Sequence, residues 1–135
     1  MSPQGIPVLV ARILMAMMFL GAGIEKFTDL EGTAAYIASA GLPMPKLLAI
    51  GAAVVEVLGS LLLIVGWQAR WAALALAGFT VLASLFFHDF WSLPKDQQMT
   101  QMLMFMKNMA ATGGLLMVFA FGAGTISLDG RRKAG

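Results

Sequence analysis

Five side chains in this sequence could do chemistry, and all lie within or beside strongly apolar segments. They are a glutamate, two lysines, one histidine and one asparagine: Glu56, Lys26, Lys107, His88 and Asn108. Each ionisable residue inside a membrane span costs roughly 2.5–3.5 kcal/mol on insertion scales. Glu56 lies about 15 Å along its helix from Lys46, at about 1.5 Å per residue, which predicts a position near the middle of the membrane. Such a group requires a partner or a function.

The chemistry of these five residues supports two interpretations. In the first they form one ligand-binding cluster, in which Lys26 or Lys107 neutralises Glu56 and His88 exchanges a proton near neutral pH. In the second they form a structural network, because a buried ion pair can fix helix register and Asn108 can link two helices. Lys26 could also extend to the interface, and His88 could lie among the headgroups. We predict no catalytic residue and no metal ligand.

Composition identifies the environment of these residues. Hydrophobic residues make up 59% and charged residues 12% of the 135 residues, against roughly 45–50% and 25% in soluble domains, and the mean hydropathy is +0.83. The sequence therefore predicts an integral membrane protein that does not bind nucleic acid. It contains no cysteine and one histidine, which excludes thiol chemistry, cysteine-ligated clusters and bis-histidine haem within one chain.

Four apolar segments are long enough to cross a bilayer, which takes about 20 residues. We predict helices at about residues 7–27, 46–67, 71–90 and 102–126, in a single membrane domain over 1–135. The fold class is all-α, because these long apolar runs lack the alternation of barrel strands. Residues 28–45 should hold a short interfacial helix, and residues 91–101 should form a polar loop.

Each predicted span has one face that combines small and polar residues at helical spacing. Small residues allow helices to approach closely in a membrane. We therefore expect the four faces to converge on one interior. They are Arg12, Ala16, Phe19, Gly23 and Lys26; Ala52, Glu56, Gly59 and Leu63; Ala73, Ala77, Thr80, Ser84 and His88; and Lys107, Ala111, Gly114 and Val118.

The distribution of Lys and Arg predicts the orientation in the membrane. The basic tail Arg131-Arg132-Lys133 favours both termini on the cytoplasmic side. The ligand-binding cluster then lies in the outer half of the membrane. Arg12 and Arg70 should lie at the headgroups of the opposite face.

The sequence resembles the short members of the DoxX family of bacterial inner-membrane proteins. The resemblance extends in order over nearly the whole chain and rests on these pieces: Ala11-Arg12-Ile13, Gly23 to Lys26, Gly32-Thr33 with Tyr36, Gly41-Leu42-Pro43-Met44-Pro45, Val55-Glu56-Val57, Gly66 with Arg70, His88, Phe105-Met106-Lys107-Asn108, and residues 122–129. It implies a four-helix bundle of the inner (plasma) membrane with short loops. Founding relatives resemble a membrane subunit of thiosulfate:quinone oxidoreductase, which implies a redox-linked role and a quinone.

Three functions compete. A quinone-binding membrane subunit would use the five polar residues, with stacking by aromatic residues, and would need a redox partner protein: Phe86, Phe87, Trp91 and Phe105 are the stacking candidates. A scaffold or assembly protein would use the buried charges for structure. A small transporter would need a homo-oligomer, and the sequence lacks the inverted repeat of many carriers. We expect no autonomous catalysis from this chain.

Overall fold

The computed structural model describes residues 4–134, which form helices and no strand. In chain order the helices are α1 (Gly5–Thr28), α2 (Leu30–Ser39), α3 (Pro45–Val65), α4 (Ala69–Phe87), α5 (Lys95–Phe121) and α6 (Leu128–Ala134), with one 3-10 turn at Phe90–Ser92. The four long helices α1, α3, α4 and α5 are long and apolar enough to span a membrane. This confirms the all-α class and the prediction of four helices long and apolar enough to be membrane spans.

The long helices pack as two close pairs, α1 along α3 and α4 along α5. The pairs meet where α3 contacts α4 and where α1 contacts α5. Glycines make these contacts close. A Cβ added to Gly59 of α3 would lie 2.8 Å from the Leu76 side chain of α4, and one added to Gly114 of α5 would lie 2.7 Å from Met15 Sδ of α1. These short separations follow the rule that small residues mediate helix packing in lipid.

The helix boundaries have local causes. The Asp29 side chain accepts a 3.0 Å hydrogen bond from the Gly32 amide at the start of α2. Pro45 occupies the first turn of α3, where the backbone N–H that proline lacks would have no partner within the helix. Gly66 ends α3 with φ 71°, a left-handed conformation that costs glycine little. The predicted interfacial helix within 28–45 is confirmed as α2.

The last span differs from the prediction at both ends. Helix α5 begins at Lys95 and ends at Phe121, so the predicted polar loop over 91–101 is wrong for most of its length. Pro94 precedes the helix and Asp96 lies in its first turn, and both favour a helix start. The hydrophobicity threshold for a span missed this polar first part of α5. Gly122, with φ 86°, ends the helix.

Both ends of the described chain lie at one end of the bundle, which we call the terminal end. It contains the start of α1, the end of α3, the start of α4, the end of α5, and α6. Gly5 contacts Thr125 and Ile126 there, since a Cβ on Gly5 would lie 2.6 Å from Thr125 Oγ1. The opposite end carries α2. The cytoplasmic location of the terminal end remains a prediction.

Arg12 is completely buried at the terminal end, so its predicted place among headgroups is wrong. Its Nη1 donates a 3.1 Å hydrogen bond to the Leu63 carbonyl, and its Nη2 donates a 2.5 Å hydrogen bond to the Ile126 carbonyl. The absence of a side chain on Gly66 makes room for the guanidinium, because a Cβ there would overlap Arg12 Nη1. The segment after α5 therefore folds over Arg12 and shields it from lipid.

Candidate functional site

The centre of the candidate site is an ion pair between α1 and α3. Lys26 Nζ lies 2.6 Å from Glu56 Oε1, and the side chains are 28% and 5% exposed respectively. It is the one ion pair within 4.0 Å among residues 4–134, so Lys26 rather than Lys107 is the direct partner of Glu56. Removing charges from water is costly, and the mutual attraction of a buried pair offsets part of that cost.

A close backbone approach brings this pair together. Gly23 precedes Lys26 by about one helical turn and faces Glu56 and Val57. A Cβ on Gly23 would lie 3.0 Å from Glu56 Cβ and 2.7 Å from Val57 Cγ2. Because α1 and α3 touch at this glycine, the Lys26 side chain can reach the carboxylate without stretching away from its helix.

Two hydroxyl groups of α4 donate hydrogen bonds to the backbone of their own helix, and one asparagine amide of α5 links α5 to α4. Thr80 Oγ1 and Ser84 Oγ donate to carbonyls one turn earlier in α4, at 2.6 and 2.7 Å. Asn108 Nδ2 of α5 then donates a 3.0 Å hydrogen bond to Ser84 Oγ. Asn108 therefore links α5 to α4, as the structural interpretation of this residue expected.

His88 follows the last residue of α4 and is half-buried. Its Nδ1 lies 2.7 Å from Gln101 Oε1 of α5. With a proton on Nδ1, the ring donates to Gln101 and keeps Nε2 as an acceptor. The contact orients the imidazole at the end of the bundle that carries α2.

One large cavity unites the predicted residues. It has a volume of about 1160 Å³, and its lining includes all five candidates: Lys26, Glu56, His88, Lys107 and Asn108. Most of the remaining wall is apolar. Lining residues such as Leu47 and Val54 of α3 and Leu82 of α4 are also exposed on the bundle surface. The cavity therefore opens sideways between α3 and α4, and residues of α2 form one wall.

Aromatic residues line one side of this cavity, but only two of the four predicted. Phe86 and Phe87 belong to the lining. Trp91 and Phe105 lie outside the lining, where they pack on each other with ring centroids 5.7 Å apart. Tyr36 of α2, which the sequence analysis missed, lines the cavity and stacks on Phe87 at 5.1 Å. A tyrosine in a short interfacial helix was the available signal.

The inward face of α5 differs from the predicted face. The buried residues are Asn108, Thr112, Leu115 and Val118, so the face is displaced by about one residue from the predicted set except at Val118. Lys107 is consequently exposed while it still lines the cavity. The predicted faces of α1 and α4 are buried as expected up to their last members, Lys26 and His88, which are half-buried at the cavity.

These features define a class: a multi-pass helical membrane protein with a charged pair inside a lateral, largely apolar cavity. The DoxX family model matches residues 7–89, which cover α1 to the end of α4 and include Lys26, Glu56 and His88. The chain belongs to the DoxX family and is a protein of the bacterial inner membrane.

Two relatives match nearly the whole chain. This chain is 36% identical over 123 residues to the inner membrane protein YphA of Escherichia coli (strain K12). The alignment covers 91% of this chain and 88% of that protein. The chain is also 36% identical over 129 residues to the inner membrane protein YqjF of the same organism, covering 93% and 92% respectively. No solved structure matches the chain significantly.

A more distant similarity extends outside bacteria. The Surfeit locus protein 4 homolog of Drosophila melanogaster is 24% identical over 137 aligned positions, which cover 98% of this chain and 43% of that protein.

Proposed function

We propose that the protein binds a quinone-like small molecule in the lateral cavity, as a redox-linked membrane subunit. The observation that carries the proposal is the joint placement of Lys26, Glu56, His88, Lys107 and Asn108 on the wall of one largely apolar cavity. Ligand sites are commonly apolar clefts of about 300–1,000 Å³ with a few convergent polar groups. The cavity, at about 1160 Å³, is of sufficient size for a ring and part of a tail.

The lining matches the chemistry of a quinone head. The carbonyl oxygens of such a head accept hydrogen bonds, and the ammonium groups of Lys26 and Lys107 are donors at the wall. The ring has two flat faces, and Phe86 and Phe87 supply aromatic surface. An apolar tail suits the opening between α3 and α4, where the lining is exposed to the region that lipid would occupy.

The redox role requires a second protein. The sequence contains no cysteine, so cysteine-based electron carriers would belong to a partner. In this proposal the chain binds and orients the molecule, and the partner supplies or removes the electrons. The outer-half location of the cavity follows from the predicted orientation and belongs to the proposal.

A direct binding measurement tests this function. Purified protein in lipid nanodiscs would be titrated with decylubiquinone, and binding would be followed by isothermal calorimetry. We expect saturable binding that Glu56→Gln and His88→Ala each weaken by about tenfold, which corresponds to about 1.4 kcal/mol. Glu31→Gln is the matched control, because Glu31 is exposed on α2 and lies outside the cavity lining.

The result also separates the ligand site from a structural role. The scaffold alternative has one observation in its favour, since the Lys26–Glu56 pair joins α1 to α3 at their closest approach. If Glu56→Gln lowers the melting temperature while both variants bind decylubiquinone like the wild type, these residues are structural. A decylubiquinone titration that matches that of protein-free nanodiscs would show partition into lipid alone and would contradict the proposal.

A further inference from the structure

A second recess lies at the terminal end of the bundle, away from the lateral cavity. It has a volume of about 390 Å³, and its wall includes three cationic side chains and one carboxylate, Arg70, Arg132, Lys133 and Asp129. Trp71 completes one side of the recess. None of these residues belongs to the quinone-like site proposed above.

The carboxylate in this recess is already engaged. Asp129 Oδ1 accepts a 2.9 Å hydrogen bond from the Gln68 amide, and Asp129 Oδ2 accepts another of 2.9 Å from the Ala69 amide. Within the described part of the chain, no carboxylate lies within 4.0 Å of the charged nitrogens of Arg70, Arg132 or Lys133. Among the described residues that line the recess, three cationic side chains therefore face one carboxylate.

Arg70 lies beside the end of α5. A Cβ on Gly122 would lie 3.3 Å from Arg70 Nε and 3.5 Å from Arg70 Nη2. The guanidinium thus rests against the backbone at Gly122, where the absent side chain leaves space for it. A planar guanidinium presents a fork of N–H donors suited to two oxygens of one phosphate group.

The position of the recess indicates the source of such a phosphate. The spanning segment that contains α4 begins at Ala69, so Arg70 and Trp71 stand where a span meets the headgroup layer. Trp71 is 65% exposed, and tryptophan is typical of this interface. Clustered Lys and Arg next to a span attract anionic lipids.

We propose that this recess binds the phosphate group of an anionic phospholipid, with Arg70 and Arg132 as the principal contacts. Lys133 adds positive charge at the rim. The excess charge selects an anionic headgroup over a zwitterionic one, whose own cation would meet three others.

Neighbouring arginines provide a matched test. Arg131 and Arg132 are adjacent and exposed, but only Arg132 lines the recess. The full chain in detergent would be titrated with phosphatidylglycerol, phosphatidylcholine or inorganic phosphate, and bound molecules would be counted by native mass spectrometry. We expect phosphatidylglycerol to be retained in preference to phosphatidylcholine, and Arg132→Gln to weaken its binding by at least about fivefold. Arg131→Gln should change it by less than about twofold, because its charge lies outside the recess.

The remaining variants and ligands in this titration decide whether the recess is a specific phospholipid site. Arg70→Gln should weaken phosphatidylglycerol binding as Arg132→Gln does, and Arg132→Lys should retain more of it, since a cation remains. Equal losses in Arg131→Gln and Arg132→Gln would mean diffuse attraction to the basic tail and would overturn the proposal. Equal retention of the two lipids would overturn it as well. Retention of inorganic phosphate without lipid would contradict the proposal that the bound phosphate group belongs to a phospholipid.

Discussion

Asp129 caps a helix that begins 60 residues earlier in the chain, because its Oδ2 accepts a 2.9 Å hydrogen bond from the Ala69 amide. Its Oδ1 accepts a second one from the Gln68 amide. The first amides of a helix have no partner within the helix, and α4 has no side-chain cap from Gln68, its own N-cap residue. The segment that follows α5 therefore completes the start of α4.

Asp129→Ala should lower the melting temperature of the protein in detergent. Loss of a cap costs about 0.5–2 kcal/mol, and Asp129→Asn should cost less because it keeps one oxygen acceptor. Asp96→Ala is the control: this aspartate is exposed in the first turn of α5, whose N-cap forms no side-chain hydrogen bond. A melting temperature of Asp129→Ala equal to that of the wild type would show that the cap contributes nothing.

Two glycines on α1 should respond oppositely to the same substitution. Gly23→Ala places a methyl group 2.7 Å from Val57 Cγ2, which should cost about 1–3 kcal/mol through overpacking. Gly21→Ala meets nothing within 4 Å and should be neutral or stabilising. Thermal melting of both variants checks this. A stable Gly23→Ala protein would contradict the close approach of α1 to α3.

The two halves of the ion pair should not be equivalent. Lys26→Met leaves the nearly buried Glu56 without its cation and should cost about 3 kcal/mol or more. Glu56→Gln leaves Lys26, whose side chain is 28% exposed, and the ammonium can turn toward water. Lys26→Met should therefore lower the melting temperature more than Glu56→Gln.

The double variant Lys26→Met/Glu56→Gln completes a cycle for this pair. Because it leaves no unpaired charge at this position, it should be more stable than Lys26→Met alone. Additive losses from the two single changes would mean that the charges do not interact.

Arg12 should hold the C-terminal segment against the bundle. Arg12→Gln removes donors from the Leu63 and Ile126 carbonyls, and buried carbonyls without partners cost about 1–3 kcal/mol. We expect faster amide hydrogen exchange over residues 122–130, measured by mass spectrometry. Arg70→Gln is the comparison, because Arg70 is exposed. The Asp129 amide donates to the Gly66 carbonyl, and its exchange should be nearly unchanged in Arg70→Gln. Unchanged exchange in Arg12→Gln would contradict this role.

Periodicity was sufficient to predict three of the four inward faces. On α3, Glu56, Gly59 and Leu63 are buried and Ala52 is half-buried. On α1 and α4 a small or polar residue recurs every three or four positions, so the inward side is distinct from the lipid side. On α5 the predicted face begins at the charged Lys107 and is displaced by about one residue from the observed one. The buried set begins at Asn108 instead. Lys107 lies near the middle of α5, where its ammonium group faces the cavity although the residue is not on the packed face.

The ion pair illustrates a second limit. Glu56 required a cation, and both Lys26 and Lys107 were available at a suitable depth. The choice between them depends on which helix touches α3, and Gly23 brings α1 into that position. Spacing along one helix contains no information about the distance to another.

The sequence by itself determined the membrane environment, the all-α class, the four spans and the residues that needed an internal partner. These follow from local physics, since hydropathy and helical period depend on neighbouring residues alone. Only the tertiary structure decided that Lys26 pairs with Glu56, that Arg12 is enclosed by the segment around Ile126, and that Asp129 caps α4. Those contacts join residues 30 or more positions apart in the sequence, and only the packing of the helices brings such residues together.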